Sequence, residues 1–208
     1  MTTMRDLMLI VDNAEQKHPM LTETVRADLL YHGTSIWGLV SIVKHDAMYP
    51  SDESDNDFIS FSRNFDMARR FAAKGAEIVA DMDDRDVEWA RTNNPFQYAE
   101  YSVDPDNGAG GAVIGFDREM MKRRFGRRLQ PYADLGFGRT NDYGKTTAAT
   151  AANAEMEERI VGDVTGIAPC IARVFIIDPT RFAAFERTLI EMRPDTATTF
   201  KKIRQLAI

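Results

Sequence analysis

Five short runs have the character of β-strands: Leu29-Leu30-Tyr31, Phe58-Ile59-Ser60-Phe61-Ser62, Ala112-Val113-Ile114-Gly115-Phe116, Arg159-Ile160-Val161 and Ile171-Ala172-Arg173-Val174-Phe175-Ile176-Ile177. The second alternates apolar and polar residues, as a strand with one dry face does, and the last is the strongest strand in the chain. Segments of helical spacing or of polar loop composition separate them. Strands and helices interspersed in this way predict a single α+β domain over residues 1–208.

The helix signals have recognisable starts. Ser35 is placed to cap a helix carrying Trp37, Leu39, Val40, Ile42 and Val43 to about His45. Asn64 is placed to cap another through Met67, Ala68 and Phe71, ending near Lys74-Gly75. Asp117 opens a short helix with Met120, Met121 and Phe125, and Asp178-Pro179 starts a terminal one, with a further helix over 197–206. Residues 4–28 read as one or two helices. Glu77 to Arg91 reads as a helix that Asn93-Asn94-Pro95 breaks, and 75–110 as an insertion over one face of the core. Pro50–Asp57 is an acidic loop, and 136–154, rich in Gly, Thr, Asn and Ala, is expected to be a long mobile one.

Composition narrows the function classes. A formal charge of -6 and a pI near 5.2 argue against a sequence-independent nucleic-acid binder. The basic cluster Lys122, Arg123, Arg124, Arg127 and Arg128 reads as a solvated helix face before it reads as a contact for nucleic acid or an acidic protein. The single cysteine, Cys170, permits no internal disulfide, which fits a reducing compartment. The start Met-Thr-Thr-Met-Arg-Asp lacks the charged and apolar regions of a signal peptide, and no apolar stretch approaches the ~20 residues that span a bilayer. The expectation is a cytoplasmic protein with no membrane contact. One Cys and three His without paired spacing make no recognisable zinc site, so no metal is expected.

Three blocks stand at predicted strand ends: Tyr31-His32-Gly33-Thr34, Ser60-Phe61-Ser62, and the glutamate cluster Glu155-Met156-Glu157-Glu158. Singly each is unremarkable. A histidine after an apolar run is usually structural, serines recur on polar strand faces, and a Glu-rich turn is usually solvated. In this order and spacing they resemble the ADP-ribosyltransferase superfamily. There the site combines an Arg or His on the first strand, a Ser or Tyr in a second block, often Ser-Thr-Ser, and a Glu opening a late strand. Here the first member looks like His32, the second block looks like Ser-Thr-Ser with Phe61 for Thr, and the resemblance spans about residues 29–177.

The resemblance implies split antiparallel β-sheets flanked by helices, NAD⁺ as substrate, release of nicotinamide, and a macromolecular acceptor, a protein before a nucleic acid. A phage- or toxin-associated role goes with it. The residue chemistry suits that reading. The backbone N–H and C=O of Gly33 match the donor and acceptor needs of a carboxamide, and His32 suits a ribose hydroxyl. Tyr31, Thr34 and Arg63 complete the expected NAD⁺ contacts, Arg63 toward the pyrophosphate, although an arginine beside Asp66 also reads as merely solvated. A glutamate beside the ribose stabilises an oxocarbenium-like state, with Ser60 or Ser62 fixing its rotamer. In the resembled family the catalytic glutamate stands just before the apolar residues of a strand, which Glu158-Arg159-Ile160-Val161 fits, with Glu157 second. If Glu157 is catalytic, Glu155-Met156-Glu157 is a Glu-x-Glu motif, which in the family accompanies arginine acceptors. If Glu158 is catalytic, that support is lost. Phe61 is expected in the core, leaving Phe65, Phe71 and Tyr49 as aromatics for the nicotinamide.

Two rivals remain. RNA 2′-phosphotransferases also begin with a Tyr-His-Gly-Thr-like strand, but need further Arg and His residues. A catalytically inactive member would act as a binding or structural protein through the insertion.

Overall fold

A computed structural model describes residues 29–50, 58–74, 83–104, 108–131 and 157–207. The readings for 4–28, the acidic loop and 136–154 lie outside these residues.

The architecture is α+β. Six strands form one sheet: β1 (Leu29–Ser35), β3 (Phe58–Ser62), β4 (Gly111–Asp117), β5 (Leu129–Pro131), β6 (Glu157–Val161) and β8 (Ile171–Ile176), in the order β5-β6-β3-β1-β4-β8. Every pairing between neighbours is antiparallel. A second, two-stranded sheet joins β2 (Ala47–Met48) to β7 (Val164–Thr165). The sequence predicts neither of these two strands, because two residues carry no periodicity. Seven α-helices lie among the described residues: α1 (Ile36–His45), α2 (Phe65–Lys74), α3 (Asp84–Asn93), α4 (Pro95–Val103), α5 (Arg118–Phe125), α6 (Pro179–Met192) and α7 (Ala197–Leu206). No helix among the described residues is long and apolar enough to cross a membrane.

The expected caps are in place, each carrying an otherwise orphaned backbone N–H. Ser35 Oγ accepts from Gly38 N at 3.0 Å, and Asn64 Oδ1 from Asp66 N at 3.0 Å. Asp117 Oδ1 accepts from Met120 N at 2.8 Å, and Asp178 Oδ1 from Arg181 N at 2.9 Å. In the 75–110 region one described helix starts at a capping box built by Asp83 and Asp86, and the part of the predicted helix over 77–82 lies outside the described residues. Pro95, which breaks the first helix, also begins the second, α4. It stands in the first turn, where its missing N–H costs nothing, and Asn94 caps the turn.

The two faces of the sheet differ. On one, Leu30, Phe61, Ile114, Phe116, Ile160 and Val174 form the main core with α1, α6 and α7, where Phe182, Phe185 and Phe200 meet edge to face. On the other, α2 lies against β1 and β4 through Ala68 and Ala72, beside Tyr31 and Val113. This second packing is very close. A Cβ on Gly33 would stand 1.8 Å from the Ala68 carbonyl oxygen, and one on Gly111 would stand 2.1 Å from that of Ala72. Gly33 is therefore required by the approach of α2. Gly33→Ala forces backbone apart from backbone and is expected to cost about 3 kcal/mol of stability, read from its urea midpoint. An unchanged midpoint would mean that α2 yields freely.

Candidate functional site

The ladder between β1 and β3 is short. It holds one paired position, Tyr31 with Ser62, whereas β1 and β4 pair over seven positions and β3 and β6 over five. Past Tyr31 the two central strands part. The His32 imidazole takes up the slack: its Nδ1 lies 3.0 Å from the Ser60 carbonyl oxygen. A carbonyl only accepts, so Nδ1 carries the proton and Nε2 is left as an acceptor. Burial lowers the His32 pKa, and the Ser60 carbonyl opposes that only in part. The ring is therefore neutral at pH 7.

A cleft of about 350 Å³ opens at this parting, beside α2. From β1 it is lined by Tyr31, His32 and Gly33, from β3 by Phe58, Ser60, Phe61 and Ser62, from β6 by Glu157 and Arg159, and from α2 by Met67, Ala68 and Phe71. Residues from three strands far apart in sequence thus share one concavity. Its size falls within the range of small-molecule sites.

Register decides which glutamate faces it. Ser62 pairs with Glu157 and Ser60 with Arg159, so these four lie on the α2 side of the sheet. Phe61 pairs with Glu158, which puts Glu158 on the opposite face. There Glu158 is only 2% exposed. Its Oε1 accepts from Arg63 Nε at 2.7 Å, from Arg63 Nη2, and from Arg118 Nε at 2.7 Å. Two guanidiniums thus offset one buried carboxylate. Glu157 is bonded differently: Arg159 donates from Nε to its Oε1 at 2.7 Å and from Nη2 to its Oε2 at 3.0 Å. The Arg159 guanidinium carbon lies 3.7 Å from the centroid of the Phe58 ring.

The remaining candidates are distributed as follows. Tyr31 is buried, with its ring edge-on to Phe65 and Phe175, and burial raises the pKa of its phenol. Ser62 Oγ accepts from Asn64 N at 2.9 Å, at the turn into α2. Thr34 is not among the residues lining the cleft; a Cβ on Gly38 would stand 2.0 Å from its Oγ1. Arg63 is committed to Glu158. Of the three aromatics, Phe71 lines the cleft and is 54% exposed. Phe65 packs on Tyr31, and Tyr49 is exposed outside the cleft. In the basic cluster, Arg128 Nη2 donates to the Val161 and Asp163 carbonyls, and Lys122 pairs with Glu119.

The sequence reading gives neither Arg118 nor Arg159 a place in the site. Arg159 had a signal, since a strand puts it two positions from Glu157 on the same face. Arg118 had none, because its partner lies 40 positions away. No family model, curated protein or solved structure matches the chain.

Proposed function

We propose that the protein is an NAD⁺-dependent ADP-ribosyltransferase with Glu157 as the catalytic carboxylate. One observation carries the reading: Tyr31, His32 and Gly33 of the first-strand block, both serines of Ser60-Phe61-Ser62, and one carboxylate of the late strand meet at a single cleft. That cleft lies where the central strands of the six-stranded sheet part, and such a parting supports the reading without dividing the sheet in two. A substrate is held there by the β1 backbone on one side and by β3 and β6 on the other.

In the reaction the bond from ribose C1′ to the nicotinamide nitrogen breaks, and its electron pair leaves with nicotinamide, which becomes neutral. The acceptor nitrogen forms the new bond to C1′ and loses a proton. Glu157 stabilises the positive charge that develops on the ribose. With Glu157 in this role, Glu155-Met156-Glu157 reads as Glu-x-Glu, which favours an arginine side chain as acceptor. His32, neutral and with Nε2 free to accept, suits a ribose hydroxyl as donor.

Incubation with NAD⁺ labelled in the adenylate half tests this. Nicotinamide release, with label passing to the protein itself or to agmatine as a soluble guanidine, is the expected result. A folded protein that releases no nicotinamide and takes up no label would overturn the reading.

A further inference from the structure

The cleft holds one guanidinium among the described residues, and it is already engaged. Arg159 grips both oxygens of Glu157 in a fork-to-fork pair, with side-chain exposures of 13% and 9%. In that state both Glu157 oxygens are occupied and its charge is matched, so it is poorly placed to serve a developing cation. Arg63, the other arginine near the serine block, is held by the buried Glu158 on the far side of the sheet.

We propose that Arg159 is the pyrophosphate-binding residue of this cleft, and that an incoming pyrophosphate draws its guanidinium from Glu157 and thereby frees the carboxylate. The proposal rests on the transferase reading for the consequence of release, but the anion site itself does not depend on it. Three features support the exchange. A phosphate presents the same pair of acceptor oxygens to a guanidinium as a carboxylate does, and a pyrophosphate carries more charge. Phe58 lies against the Arg159 guanidinium. A cation held on an aromatic ring keeps part of its stabilisation while its hydrogen-bond partner changes. Finally, Glu157 and Arg159 stand two residues apart on one strand face, directly across from Ser62 and Ser60. A small rotation of either side chain separates them without moving the sheet.

The exchange makes Glu157 a competitor of the anion, which is what the test measures. Inorganic pyrophosphate is titrated calorimetrically into the parent protein and into Glu157→Gln, Arg159→Gln and Arg159→Lys. Removing the competing charge is expected to tighten pyrophosphate binding about tenfold in Glu157→Gln. Arg159→Gln is expected to abolish binding, and Arg159→Lys, which keeps the charge but not the fork, to restore it in part. Far-UV circular dichroism establishes that each variant is folded, and Arg159→Lys carries the test if Arg159→Gln does not fold. A second readout is substrate preference. Nicotinamide riboside has no pyrophosphate, so Arg159→Gln is expected to lose turnover of NAD⁺ while gaining it on the riboside. Equal pyrophosphate affinity in the parent and the Arg159 variants overturns the site. Unchanged affinity in Glu157→Gln overturns the exchange. If the pyrophosphate pattern appears but NAD⁺ is inert, the transferase reading fails and the anion site stands. If NAD⁺ turns over while Arg159→Gln binds pyrophosphate normally, only the assignment to Arg159 fails.

Discussion

Glu158→Gln is expected to destabilise the fold by about 3 kcal/mol or more, with little direct effect on chemistry. The carboxylate is 2% exposed and is the shared partner of Arg63 and Arg118. Glutamine keeps the shape but removes the only negative charge in the group, leaving two guanidiniums facing each other. Removing one partner from a buried ion pair typically costs about 3–5 kcal/mol. The arginine side chains here are 27% and 20% exposed, so water offsets part of that, and the lower end is expected. Against a total stability of about 5–15 kcal/mol for an ordinary domain, such a loss is easily read in a urea titration. Arg63→Met and Arg118→Met should each cost less, because either leaves an intact ion pair. A Glu158→Gln protein that unfolds at the parent's urea midpoint would show that the triad contributes nothing.

Glu157→Gln should give the opposite pattern. Its expected signature is a fall in NAD⁺ turnover of ~10²–10³, the usual cost of losing one preorganised electrostatic contact to a transition state. NAD⁺ affinity should not fall, because the charge on the ribose develops only as the bond breaks. Stability should fall less than in Glu158→Gln, since one guanidinium rather than two loses its counter-charge and the amide oxygen still accepts from Arg159. Nicotinamide release and unfolding are measured on both glutamine variants, with turnover taken at a temperature where each is fully folded. If Glu158→Gln loses turnover while folded and Glu157→Gln keeps it, the catalytic assignment moves to Glu158 and the Glu-x-Glu reading goes with it. If both turn over normally, neither glutamate is catalytic.

The contrast between these neighbours bears on what a sequence can disclose. Alternation along β6 already says that Glu157 and Glu158 face opposite ways. It does not say which way is the cleft, because that depends on which side α2 covers and on the register with β3. The sequence alone puts Glu158 first, from its position before Ile160, and Glu157 second. In the folded chain Glu157 lines the cleft beside the serines, and Glu158 lies under the opposite face. Arg63 shows the same limit. Locally it is an arginine near Asp66, suited to a phosphate or to solvent. Its actual partner lies 95 positions away on a strand whose pairing no local pattern specifies.

Local physics does determine much of this protein. Caps at Ser35, Asn64, Asp117 and Asp178 set helix starts because each side chain satisfies backbone N–H groups within its own turn. Phe61 goes to the core and its flanking serines to the other face because a strand allows nothing else. These are short-range constraints, written in neighbouring residues. The tertiary structure alone decides the rest: that β1 and β3 separate after one paired position, that α2 comes close enough to demand glycine at position 33, and that Glu158 is held by Arg63 and Arg118. Each of these depends on which distant segments meet. That is set by how the whole core packs, and no window of the sequence contains it.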